Sequence, residues 1–184
     1  MTAPKAGHIF ISYSHHDEKI VGLLAQLVRA VLAPLVQNAV FLDRQQLEFG
    51  QPWPAQLQKA IATSEQVFVF WCEHSAASAE VKKEWRYAVG KGKRVVPVLL
   101  DRTPLSRRLA SVHGVDLIAA GLHGDSFGIH ASGALAFGTS DTEISVKVDP
   151  YRGVRDAVRA LAIQLGGDPK DDEIQSALFK AMIR

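Results

Sequence analysis

Gln66-Val67-Phe68-Val69-Phe70-Trp71-Cys72 is the most apolar stretch of the 184-residue chain. After Gln66 it shows no alternation of apolar and polar side chains, so it predicts a strand covered on both faces, near the centre of a parallel sheet. Reading outward, His8 to Ser12 is a second short buried strand. Arg94 to Leu100 is a third, and Pro97, which has no N–H to give to a ladder, places it at or near an edge. Ala39 to Leu42 is a briefer strand. Between them the apolar spacing becomes helical. Asp17 to Ala33 repeats at Ile20, Leu23, Leu24, Leu27, Val28, Val31 and Leu32 before Pro34 stops it. Trp53 or Pro54 to Ser64 is a helix with proline in its first turn, and about Ala76 to Lys91 is another, ended by Gly90 and Gly92. Ser14-His15-His16-Asp17 has the form of a capping box ahead of the first helix.

Strands alternating with helices imply right-handed crossovers and a parallel sheet with helices on both faces. The expected fold is therefore α/β, a flavodoxin-like open five-stranded sheet in the order 2-1-3-4-5. Two segments compete for the fifth strand, Gly114 to Ile118 and Glu143 to Val148. Ala119 to Gly138 carries five glycines and no helical period, which reads as a loop or loose hairpin. Tyr151 to Leu165 is an amphipathic helix ended by Gly166-Gly167. Asp171 to Ile183 is a last helix, a candidate for self-association. The expected division is one domain over 1–167, with 119–150 as an atypical insertion, and a C-terminal helix over 168–184.

Composition narrows the function without naming it. With 21 Lys+Arg against 19 Asp+Glu, the net charge of +2 gives no reason to expect nucleic acid or an anionic membrane as the main ligand. No apolar run approaches the ~20 residues that span a bilayer, and the start is too polar for a signal peptide. One cysteine, Cys72, excludes an internal disulfide framework and a CxxC knuckle, in keeping with a reducing cytoplasm. The seven histidines show no ligand spacing, so no metal site is expected. Neither GxxxxGK[ST] nor GxGxxG occurs.

In a sheet of the expected order, ligands bind outside the carboxyl ends of the strands, where the order reverses. The loops there carry Ser12 to Asp17, Asp43 to Trp53 and Trp71 to Ser78. One residue stands out on the third helix. At 100° per residue from Ala77, Val81 falls at about 40°, Ala88 at about 20° and Glu84 at about 340°, inside the apolar stripe. A carboxylate there is costly unless paired, so a partner or a function keeps it in place. The plain alternative is a salt bridge to Arg44, Arg94 or another cation. Cys72 with a nearby histidine has the makings of a nucleophile pair, although a lone cysteine ending a central strand is more often a small buried group. Trp71 has a packing role or could stack a flat ring. Ser75 and Ser78 suit helix caps.

Four ordered motifs resemble those of bacterial Toll/interleukin-1 receptor (TIR) domains. His8 to Asp17 (HIFISYSHHD) resembles their opening strand and loop. Val40-Phe41-Leu42-Asp43, then Leu47, Gly50 and Trp53, is similar to the second strand and BB loop. Phe70-Trp71-Cys72 through Ser75, Ser78, Val81, Glu84 and Trp85 resembles the third strand and catalytic helix. Pro97 to Asp101 with Thr103-Pro104-Leu105 completes the series. The resemblance is strong to about Ile118 and then thins.

The resemblance implies an NAD+ glycohydrolase that cleaves the nicotinamide–ribose bond to give nicotinamide and ADP-ribose or a cyclic isomer. NAD+ would be substrate rather than cofactor. The family's catalytic glutamate carries over onto Glu84. Tyr13, Ser14, Asp43, Trp71, Cys72 and Ser78 would line the substrate site, with Leu47 to Trp53 as a mobile lid. It further implies self-association into oligomers or filaments, a separate sensor or effector protein, and a role in antiphage immunity. Two other readings are compatible with the sequence: a non-catalytic TIR scaffold acting by homotypic assembly, and a flavin- or nucleotide-binding module.

Overall fold

The computed structural model describes residues 9–32, 41–42, 53–119, 128–129, 135–136 and 152–182. Five strands, β1 (Ile9–Ser12), β2 (Phe41–Leu42), β3 (Gln66–Trp71), β4 (Arg94–Leu99) and β5 (Val115–Asp116), form one parallel sheet in the order β2-β1-β3-β4-β5. The run from Val67 to Trp71 is buried throughout because β3 lies at the centre, between β1 and β4. Its side chains alternate between two cores, which is why the segment shows no polar face. Phe68 and Phe70 point into one core with Ile9, Ile11 and Tyr13, against α1 (Glu18–Leu32) and α6 (Arg152–Gln164). Val67, Val69 and Trp71 point into the other with Phe10, against α2 (Trp53–Thr63), α4 (Ala79–Gly90) and Leu109 of the short α5 (Arg107–Ala110).

The fifth strand is Val115–Asp116, within the Gly114–Ile118 alternative; Glu143 to Val148 lies outside the described residues. Strand β4 is next to the edge, and its pairing with β5 starts at Val98, immediately after Pro97. A Cβ on Gly114 would lie 2.5 Å from the Pro97 carbonyl oxygen and 2.9 Å from its Cγ, so the entry to β5 requires a residue without a side chain. Within the glycine-rich stretch, β6 (Gly128–Ile129) and β7 (Leu135–Ala136) pair antiparallel as a two-stranded hairpin.

The helix expected over Ala76 to Lys91 is two helices. Helix α3 (Glu73–Ala77) ends at Ser78, whose extended backbone (φ −67°, ψ 122°) also begins α4. The Ser78 hydroxyl accepts the Val81 N–H at 3.3 Å, a cap of a kind that contributes about 1 kcal/mol. Ala77 thereby falls before the break and is exposed, while Val81, Glu84, Trp85 and Ala88 form the buried stripe. Helix α4 closes with Gly92 at φ 67°, where Lys93 N–H reaches Ala88 O and Gly92 N–H reaches Val89 O, both at 3.0 Å.

Helix α7 (Asp171–Met182) continues the domain. Ile174, Ala177 and Leu178 join the same core as α1 and α6, and Arg159 of α6 pairs with Asp171 at the start of α7. The helix expected to mediate self-association thus turns its apolar face inward and leaves Phe179 outward, 65% exposed.

Candidate functional site

Glu84 lies mid-way along α4, on the face turned to the sheet, and only 2% of it is exposed. One of its partners is on β1. The alternation that puts Phe10 on the α4 side of the sheet puts Ser12 there too, and the Ser12 hydroxyl donates to Glu84 Oε2 at 2.5 Å. That length belongs to a hydrogen bond between a hydroxyl and a carboxylate. The salt bridge considered with Arg94 is not made: its guanidinium reaches Gln164 Oε1 at 3.4 Å. Arg44 lies outside the described residues.

Other candidate residues separate by strand parity. Trp71 is on the same side of the sheet as Glu84, is 3% exposed, and donates its indole N–H to Pro104 O at 3.2 Å. Its ring is packed within the core beneath α2 and α4 and presents no open face for stacking. Tyr13, 4% exposed, belongs to the core on the opposite side, against α1. Ser14 caps the short 3-10 turn His15–Asp17, accepting the His16 N–H at 3.4 Å. The reciprocal half of the expected capping box does not form, because the Asp17 carboxylate is turned to Cys72 instead. Asp43 and Leu47 lie outside the described residues, as does the side chain of Trp53.

Cys72 has a structural assignment. It is the N-cap of α3 in a reciprocal capping box: Cys72 N–H donates to Ser75 Oγ at 2.8 Å, and Ser75 N–H to Cys72 Sγ at 3.4 Å. Its thiol donates to Asp17 Oδ2 at 2.9 Å. Burial, then the adjoining Asp17 carboxylate, push the thiol up to about 11, the opposite of what a nucleophile needs. Asp101, after β4, accepts the Glu73 N–H at 2.9 Å and the Thr103 N–H at 2.8 Å. Burial pushes its carboxyl up, but the bonds from Thr103 and Glu73, with His74 nearby, outweigh that and hold it below its ordinary 3.8.

On the surface, the rings of His15 and His16 lie 4.0 Å apart and those of His16 and His74 stack at 4.5 Å. Among the described residues no group of three or more His, Cys, Asp or Glu side chains is arranged to hold a metal ion. Among them, too, no helix is long and apolar enough to cross a membrane.

A sequence-family model described as the TIR domain matches residues 9–127, from the first residue of β1 to just before β6. This chain belongs to the TIR domain family. Among solved structures, this TIR domain is similar to that of the Toll-related receptor TRR-2 from Hydra magnipapillata. The two are 18% identical with a TM-score of 0.48, over 59% of this chain and 82% of that one. It is also similar to the TIR domains of the activated Roq1 resistosome that directly recognizes the pathogen effector XopQ, with 18% identity and a TM-score of 0.43, over 95% and 99% of the two chains. No curated protein matches it significantly.

Ser12 is the residue that the sequence alone did not single out. Its signal was there: a hydroxyl residue closing an otherwise apolar strand, at the same parity as Phe10 and so facing the helix that carries Glu84.

Proposed function

We propose that this TIR domain is an NAD+ glycohydrolase in which Glu84 is the catalytic residue. One observation carries the reading: a carboxylate 2% exposed, on the sheet-facing stripe of α4, hydrogen-bonded to the end of β1 where the strand order reverses. In the reaction, the bond between the ribose C1′ and the nicotinamide nitrogen breaks, and its electron pair neutralises the pyridinium. The leaving group needs no proton. What needs help is the oxocarbenium-like ribose, and a carboxylate beside its hydroxyls orients the diol and offsets the developing positive charge. Water then adds at C1′ and loses a proton to give ADP-ribose. Addition of an internal nucleophile of the same molecule gives a cyclic isomer.

Glu84 is covered in the isolated chain, so this reading requires the site to open for a dinucleotide. Self-association is the proposed trigger, in keeping with the oligomers or filaments that the TIR resemblance implies. The same resemblance suggests a role in bacterial antiphage defence, with a separate sensor or effector protein, and the single cysteine is in keeping with a reducing cytoplasm.

The test is nicotinamide release from NAD+ across a range of protein concentrations, with and without a crowding agent. The enzyme reading predicts turnover per chain that rises with concentration, with ADP-ribose or a cyclic isomer as co-product on chromatography. Concentration-dependent assembly with NAD+ left intact would instead make the protein a scaffold, with Glu84 held only as part of its packing.

A further inference from the structure

We infer that Ser12 is a positioning residue for Glu84, acting on the reaction through the orientation of the carboxylate; this rests on the glycohydrolase reading. Four observations support it. Ser12 is wholly buried on a strand face whose neighbour, Phe10, is packed among aromatic and aliphatic side chains. A hydroxyl in such a place costs free energy unless it is bonded, and the bond it makes is to Glu84. The contact joins residues 72 apart in sequence, and so ties β1 to α4 at the candidate site and nowhere local. Finally, the anchor is rigid: Ser12 is in register with Val69 of the central strand, while the glutamate reaches it along a side chain with three rotatable bonds.

An acid held in this way spends less of the reaction's free energy on finding its working rotamer. Displacement of a reacting group by about an ångström can cost on the order of 100-fold in rate. The effect of losing the hydroxyl should therefore appear in kcat rather than in substrate binding, which distinguishes positioning from a role in packing alone.

The experiment compares wild type, Ser12→Ala, Ser12→Cys, Ser12→Thr and Glu84→Gln by steady-state nicotinamide release, alongside thermal unfolding. Expected is a fall in kcat of roughly 10- to 100-fold for Ser12→Ala, with KM within about twofold and a far deeper loss for Glu84→Gln. Thr, which keeps the hydroxyl, should restore most of kcat. Should Ser12→Ala fail to fold, the near-isosteric Ser12→Cys, a weak donor, takes its place. The inference is overturned if the folded Ala or Cys variant keeps wild-type kcat while Glu84→Gln is inactive, or if loss of rate only tracks loss of folded protein. If wild type and Glu84→Gln are equally silent, it is the glycohydrolase reading that has failed, and the positioning role falls with it.

Discussion

The Cys72 thiol donates to Asp17 Oδ2 at 2.9 Å, joining the end of the central strand to the turn that precedes α1. Because burial and Asp17 push this thiol up to about 11 from an ordinary 9.0, it stays protonated at neutral pH. Iodoacetamide at pH 8 should label the folded protein far more slowly than the same protein in urea. The linkage has a definite sign. Above 9.0 the unfolded chain loses its thiol proton while the folded chain keeps it, so the stability this group contributes is whole below 9.0 and drains away as pH rises toward 11. Urea melts at pH 8 and pH 10.5 should show wild type losing stability relative to Cys72→Ser, which preserves the α3 cap without an acidic proton. Equal losses in the two proteins would remove this account of Cys72.

Gly114 provides a second test, of the sheet edge. An alanine Cβ there would press on the Pro97 carbonyl oxygen at 2.5 Å and on its ring Cγ at 2.9 Å, and these atoms belong to backbone and ring that cannot swing aside. Gly114→Ala should lose about 1–3 kcal/mol in urea unfolding, the usual range for overpacking a tight contact. A neutral result would mean that β5 can move away from β4 at little cost.

Helix α7 makes opposite predictions at two positions. Ile174 is fully buried against the α1 and α6 core, so Ile174→Ala should cost about 2–5 kcal/mol. Phe179 is 65% exposed, and Phe179→Ser should leave monomer stability within about 0.5 kcal/mol while lowering any concentration-dependent association that uses this surface. Chemical denaturation paired with light scattering reads both. If Ile174→Ala were neutral, α7 would not be part of the folded domain.

Much of the fold was legible because its signals are local and strong. An unbroken apolar run at Val67 to Trp71 and helical spacing at Ile20 to Leu32 specify buried strand and amphipathic helix without tertiary information, and the parallel order then follows from handed crossovers. A cap at Ser78 was legible, but not that it separates two helices. Serine there suits both the interior of a long helix's first turn and the boundary between two helices, and the choice is made by Cys72 and Ser75 closing a separate cap upstream. At the site, Glu84 was readable because a carboxylate within an apolar stripe is an anomaly of one helix. Its pairing with Ser12 was not, because it depends on which face of β1 meets α4. The same parity explains why Tyr13 and Trp71, both placed at the site by motif, fall on opposite sides of the sheet.

The most direct test of the central claim is the rate of nicotinamide release from NAD+ by wild type and Glu84→Gln at matched, assembly-promoting concentrations, with thermal unfolding showing both to be folded. The account predicts turnover by wild type and a loss of at least about 100-fold in the variant, the scale expected when a preorganised transition-state charge is removed. Equal rates in the two folded proteins would contradict it.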